Sequence, residues 1–349
     1  MTAHSFTSVR VRSSLLREEG SSAREQKQGK VKKEVAKTEA ESGCGAEDRR
    51  RGLREGSHTS VMVEEVLQYL DVKKGQQVLD ATAGQGGHSD AILKNTPGSR
   101  VLALDADPVS VELAEKRLAQ FGERAAVVEA NFGDIEKVLK KQGIKTIDKA
   151  LFDLGWNSGQ LGLGRGFSFL VDEPLDMSYG TQSASSFTAA EALNEWEEET
   201  LANVFYGYGE ERYARRIAKA IVQRRETKPF ATTLELVEVV RDSTPSAYHR
   251  GRLHFATRTF QGLRMAVNDE LGVINRGVTS AWEHLSPGGR IAVITFHSIE
   301  DRAVKRLFAD FVKGDGRLVF KKPLVPSRAE VVANPRARSA KLRVIEKSL

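Results

Sequence analysis

Residues 77–93 read QVLDATAGQGGHSDAIL, and the fold turns on how this stretch is parsed. The run QVLDAT (77–82) predicts a short buried strand, HSDAILKN (88–95) has helical spacing, and the glycines between them mark a strand-to-helix turn. Gly84, Gly86 and Gly87 permit unusual dihedrals and close approach of backbone to a ligand, while the helix start offers free N–H groups. The ligand stays open at this point: a phosphate, a nucleotide or none. A dinucleotide fingerprint requires G-x-G-x-x-G, but its third glycine is here Ser89, and no G-x-x-x-x-G-K-[ST] loop is present. A nicotinamide-dependent dehydrogenase and an ATPase loop are therefore disfavoured.

Outward from this turn the same alternation continues. VMVEEVLQYL (61–70) predicts a helix, SRVLALD (99–105) a strand, PVSVELAEKRLAQF (108–121) a helix and AAVVEAN (125–131) a strand. IEKVLKKQG (135–143) then predicts a short helix and IDKALFDLG (147–155) a fourth strand. Strand and helix in turn, with short connections, imply a doubly wound α/β fold with parallel strands. The alternation stops over 156–253, which predicts a helical insertion carrying GEERYARRIAKAIVQRRE and TTLELVEVVRD. Phe260, Leu263, Val267, Leu271, Ile274, Val278, Trp282 and Leu285 then recur at steps of 3 and 4, predicting one long helix over 256–285. SPGGRIAVITFH (286–297) resumes the sheet, IEDRAVKRLFADFV predicts a helix, and RLVFKK and AKLRVIEK predict two late strands. The expected sheet has seven mostly parallel strands with an antiparallel edge, in a domain made of 58–155 and 254–349.

The chain has 349 residues, 40% hydrophobic and 29% charged, a globular composition. Of the net charge of +6, residues 1–57 supply +4, so overall charge does not by itself identify a nucleic-acid binder. That segment is polar and is expected to be disordered. Its Arg10, Arg12 and Arg17 among serines faintly resemble an organelle transit peptide, but a dispensable tail or an over-extended start is the preferred reading. Cys44 is the sole cysteine, which excludes an intrachain disulfide or a multi-cysteine zinc site and fits a reducing, cytoplasmic setting. No apolar run approaches the roughly 18 to 20 residues that span a bilayer, so no membrane partner is expected.

Ligands of open parallel sheets gather at the carboxyl ends of the strands. Asp105, ending the second strand about twenty residues beyond the glycines, is placed to accept hydrogen bonds from both ribose hydroxyls of an adenosine cofactor. The alternative role, capping the next helix, can fall to Asp107 before Pro108. Phe132 suits an adenine contact or the core equally. Asp153 ends the fourth strand, where an acceptor would hold the N–H bonds of a ring-conjugated amine while its lone pair faces an electrophilic methyl group; Asn157 joins it as a catalytic candidate. In FHSIEDR, the sequence proximity of His297, Ser298 and Asp301 suggests a hydrolase, but such neighbours seldom attain triad geometry, and His297 and Ser298 are assigned to a substrate pocket. Neither His88 nor His297 sits in a metal-ligand spacing, and no metal is expected. Arg212, Arg216 and Lys219 share a helical face suited to RNA phosphates, although a solvated helix with Glu211–Arg215 pairing explains it nearly as well. Arg258, Arg336 and Arg338 are further substrate candidates, beside Lys341 and Arg343.

Ten collinear segments now carry a resemblance: HTSVMVEEVLQYL, DATAGQGGHS, LALDADP, FDLGWNSGQL, RGFSF, PLDM, GEERYARRIAKAIV, ATRTFQGLRMAVNDEL, PGGRIAVITFHSIEDR and NPRARSAKLRV. Together they resemble the bacterial ribosomal RNA small subunit methyltransferase H family over 58–349. The resemblance implies a Rossmann-like class I methyltransferase with an inserted helical domain for substrate recognition. It implies S-adenosyl-L-methionine as cofactor and N4 of a cytidine in the decoding region of 16S ribosomal RNA as target. The partner implied is a small ribosomal subunit or an assembly intermediate, met by a monomer or homodimer. The implied cofactor residues are Gly86, Gly87, His88, Asp105, Phe132, Asp153 and Gln160. Two departures stand out: Trp156, Asn157, Ser158 and Gly159 replace the family's usual valine, two serines and proline, and Phe255 replaces a proline. A DNA amino-methyltransferase is the rival enzyme, although the two prolines expected after its fourth strand are missing. A non-catalytic RNA-binding or assembly factor of the same fold is the rival outside enzymes.

Overall fold

The structure is a computed structural model that describes residues 59–154, 164–179 and 187–349. The charged segment 1–57 and the candidates Asn157 and Gln160 lie outside the described residues.

Seven strands form one sheet: β1 Gln77–Asp80, β2 Arg100–Asp105, β3 Ala125–Glu129, β4 Ile147–Asp153, β5 Leu285–Thr295, β6 Gly316–Leu318 and β7 Lys341–Lys347, in spatial order β3-β2-β1-β4-β5-β7-β6. The first five pair in parallel. Near-continuous apolar strands such as RVLALD are buried on both faces, as a parallel sheet between helical layers requires. Alternation along β2 divides its side chains, with Leu102 and Leu104 packed in one core and Val101 and Ala103 in the other. Fully buried Phe152 does for β4 what these leucines do for β2; truncation of such a side chain costs about 3–5 kcal/mol. β7 pairs antiparallel with both β5 and β6. The expected antiparallel edge is present: β7 is inserted between β5 and β6, and the edge strand is the three-residue β6.

The helices that lead to the sheet's upper rim are α1 Val63–Leu70, α2 Gly87–Asn95, α3 Pro108–Leu118 and α4 Ile135–Lys141. Between β4 and β5 come α5 Ala189–Glu195, α6 Glu198–Gly207, α7 Ala214–Arg225, α8 Thr233–Ser243 and the single turn α9 Ser246–His249. Local chemistry sets their starts: Thr188 with Glu191 and Thr232 with Glu235 form capping boxes. These helices own a separate core, centred on Leu201, Phe205, Ile217, Ile221, Leu236 and Val240.

The single helix expected over 256–285 is two helices, α10 Thr257–Val267 and α11 Glu270–Glu283, and this corrects the sequence reading. Asn268 ends the first, and Asp269 adopts a left-handed conformation (φ 46°) before the second. A break of two residues preserves the apolar 3/4 rhythm, so periodicity cannot register it. The two halves serve different cores: Phe260, Leu263 and Val267 pack with the helical layer, whereas Ile274, Val278 and Trp282 pack on the sheet. Helix α12 Ser298–Lys313 follows β5, and α13 Arg328–Ala333 precedes β7. Among the described residues no helix is long and apolar enough to cross a membrane.

Candidate active site

The chain reverses its direction of travel across the sheet between β1 and β4, and a cleft opens above the carboxyl ends of the strands at such a switch point. A cavity of about 450 Å³ lies there, within the usual size of a cofactor site. Its walls include Gly84, His88, Asp105, Phe132, Asp153 and His297, brought together from five separate loops.

The glycine turn begins the site. Gly86 caps α2 in the left-handed region (φ 78°), where a side chain would be strained. A Cβ on Gly87 would stand 2.1 Å from Ser60 Oγ, so a side chain here would require that hydroxyl to turn away. Gly86 and Gly87 therefore shape the turn, while Gly84 lines the cavity itself. Ser89, at the position where a dinucleotide fold has glycine, donates from Oγ to Asp80 Oδ2 at 2.6 Å. Burial pushes the Asp80 carboxyl above its ordinary range, opposed by His88 and the Ser89 hydrogen bond. This serine thus holds a buried acid beneath the loop, a role that excludes glycine.

Asp105 receives the Gly84 amide on Oδ2 at 2.8 Å and the Asp107 amide on Oδ1 at 2.9 Å. Each oxygen retains a second lone pair for a ligand hydroxyl. Burial raises its carboxyl to about 6, against the lowering effect of those two amides. The capping alternative belongs to Asp107, whose side chain accepts from Ser110 N at the start of α3. Phe132 meets Phe152 edge-on at 5.7 Å between centroids and also lines the cavity, so it serves both core and site.

At the end of β4 the Asp153 amide donates to Thr82 Oγ1 at 2.6 Å, tying this strand end to the glycine turn. The buried His88 ring places Nε2 2.9 Å from the Val61 carbonyl, an acceptor, so Nε2 carries the proton. Its Nδ1 lies 3.7 Å from Asp153 Oδ2. The end of β4 is thus tied to the glycine turn through its backbone.

Three predicted substrate residues are separated by the structure. His297 lines the cavity and caps α12, accepting from the Glu300 amide while Glu300 accepts in return. Ser298 is exposed and donates to Glu210 Oε2 at 2.8 Å, a contact to the helical layer. Arg258 is spent on the Glu210 carbonyl at 2.9 Å. Arg336 reaches the cavity rim, and Arg338 is exposed. Arg212, Arg216 and Lys219 are exposed on the helical layer outside the cavity, with the Arg212 guanidinium 4.8 Å from the ring centroids of both Tyr213 and Tyr248. Phe255, where the family usually has proline, stacks on His254 at 4.2 Å.

Sequence reading missed a charged corner of the cavity formed by Tyr179, Arg264, Asn268, Glu270 and Glu300. Arg264 pairs with Glu270 in bidentate fashion at 2.7 and 3.0 Å, and Tyr179 donates to the same carboxylate at 2.9 Å. Burial opposes the Arg264 charge, but Glu270 outweighs it and raises the guanidinium above its ordinary range. Burial likewise raises the Tyr179 phenol well above its usual value. Glu270, His297 and Glu300 are the one His/acid group among the described residues close enough to share a metal ion. Glu270 is already neutralised by Arg264, which argues against that use. The available sequence signal was the spacing of Glu300 three residues after His297, the distance of a capping box.

The model of the MraW methylase family matches residues 55–348. A protein of Brevibacillus brevis described as ribosomal RNA small subunit methyltransferase H is 43% identical over 308 residues, covering 83% of this chain and 98% of its own. One of the same description from Carboxydothermus hydrogenoformans is 46% identical over 310 residues, covering 84% and 98%. A weaker likeness links the chain to the crystal structure of an rRNA methylase from Streptococcus thermophilus, at 11% identity and a TM-score of 0.39, covering 84% of this chain and 100% of that one. With nearly the whole of 58–349 matched in order, the chain belongs to the MraW methylase family.

Proposed function

We propose that this protein transfers a methyl group from S-adenosyl-L-methionine to the exocyclic N4 amine of a cytidine in the decoding region of 16S ribosomal RNA, acting in the cytoplasm on a small subunit or its assembly intermediate. The observation that carries the reading is Asp153, held by Thr82 at the end of β4 in the same cavity as Asp105 and Phe132. The curated relatives, whose names state small-subunit ribosomal RNA as substrate, support the RNA as target.

The residues present fit the cofactor. Asp105 is an almost buried carboxylate with acceptor capacity left over, suited to two ribose hydroxyls, and Phe132 supplies an aromatic wall beside it. When bound, the cofactor supplies an electrophilic methyl group. Asp153 accepts an N–H bond of the target amine and holds its lone pair in line for attack. Orientation dominates such a transfer, since a correctly held pair of reactants replaces a bimolecular encounter. The enclosing apolar wall of Val61, Leu154, Val273 and Ile274 excludes competing water. The helical layer at 164–267 presents the exposed cations Arg212, Arg216 and Lys219 to RNA phosphates, while the target base leaves its stack to enter the cavity.

Mass spectrometry of ribosomal RNA from cells with and without the gene tests this directly. N4-methylcytidine in the small-subunit RNA should disappear with the gene and return with the wild-type copy. Unchanged modification would reject the assignment.

A further inference from the structure

An exocyclic amine has two N–H bonds, and Asp153 can take only one of them in the plane of the base. The charged corner of the cavity supplies a second acceptor. Glu300 is 4% exposed and lines the same cavity as Asp153. Its Oε2 is committed to the fold, receiving the amides of Phe296 at 2.8 Å and His297 at 3.2 Å. Its Oε1 lies 2.8 Å from His297 Nε2, yet that ring nitrogen makes no hydrogen bond among the described residues, so the approach is out of line. Glu270, the other acid of this corner, is occupied by Arg264 and Tyr179. The Oε1 of Glu300 is therefore left with an ill-aligned donor in the polar corner that lines the cavity. Such an acceptor has capacity for a hydrogen bond from a ligand.

We infer that Glu300 is a specificity-determining residue that accepts the second N–H of the target amine. This deepens the proposed function and rests on it. With Asp153 and Glu300 each holding one hydrogen, the amine is fixed in the plane of its ring and its lone pair points along the normal. The same pair of acids rejects a keto base. A uracil would bring its O4 acceptor against two carboxylates, where cytosine brings two donors.

The test is Glu300→Gln, which is isosteric and leaves an amide oxygen for the Phe296 and His297 amides while turning a donor toward the corner. Protein loaded with S-adenosylhomocysteine is titrated with two single-stranded RNAs that differ only by cytidine or uridine at the target position, followed by fluorescence anisotropy. Wild type should prefer the cytidine RNA by about 10- to 100-fold. Glu300→Gln should lose or reverse that preference, with S-adenosylhomocysteine affinity by calorimetry changed less than about twofold. Equal wild-type affinity for the two RNAs overturns the inference. So does an unchanged preference in the variant, an equal weakening toward both RNAs, or a large loss of S-adenosylhomocysteine affinity. Methylation of small-subunit particles by the wild-type protein, measured alongside, tests the underlying function separately.

Discussion

The Gly84 amide donates to Asp105 Oδ2 at 2.8 Å, joining the glycine turn after β1 to the end of β2 across 21 residues of chain. The hydrogen bond aims the carboxylate into the cavity before any ligand arrives. Such preorganisation spares a ligand of this carboxylate the cost of ordering its own partner.

Asp105 should make cofactor affinity depend on pH. Its carboxyl is raised to about 6 by burial, so it is ionised at pH 7.5 and increasingly protonated below pH 6. Ribose hydroxyls donate to the ionised form, so affinity should hold above about pH 7 and weaken about tenfold for each unit well below 6. Calorimetric titration of S-adenosylmethionine between pH 5 and 8 checks this. Asp105→Ala should abolish binding; undiminished affinity would remove Asp105 from the cofactor site.

Asp153→Asn should separate binding from transfer. The amide is isosteric, and the backbone bond to Thr82 Oγ1 is untouched. Turnover on small-subunit particles should fall about 100-fold or more, because the group that orients the amine is lost, while cofactor affinity should stay within about threefold. A near-normal turnover number in single-turnover kinetics would contradict the role.

Two ion pairs should respond differently to mutation. Arg264 and Glu270 are 13% and 11% exposed, so Arg264→Met leaves a nearly buried carboxylate unpaired and should cost about 3–5 kcal/mol in urea denaturation. Glu210, 42% exposed, pairs with Arg302, which is 51% exposed. Glu210→Ala should therefore change stability by less than about 1 kcal/mol, since water already screens that pair. Comparable losses in the two variants would disprove the contrast.

Arg212→Ala and Lys219→Ala should weaken binding to small-subunit particles without altering cofactor affinity. For direct phosphate contacts, each substitution should reduce the slope of log affinity against log salt by about one. A salt slope identical to wild type would assign these side chains to solvated surface.

Much of the fold was legible because parallel strands buried on both faces must be apolar runs, and QVLD, RVLALD and KALFD are such runs. The positions of Asp105 and Asp153 followed from the same logic, since strand ends are readable and ligands gather there. Other features depend on distance in space. The break at Asn268–Asp269 leaves the apolar rhythm intact and is visible only where α10 and α11 enter different cores.

The amino-acid sequence by itself determined the order of strands and helices, the glycine turn and the acids at the strand ends, because each is written in local periodicity or in a short motif. Only the tertiary structure decided that Ser298 bonds Glu210 outside the cavity, that Gly87 lies against Ser60, and that Glu300 shares a corner with Arg264 and Glu270. The physical reason is that burial and hydrogen-bond satisfaction are properties of neighbours in space, and those neighbours come from elements as far apart as β1 and α12.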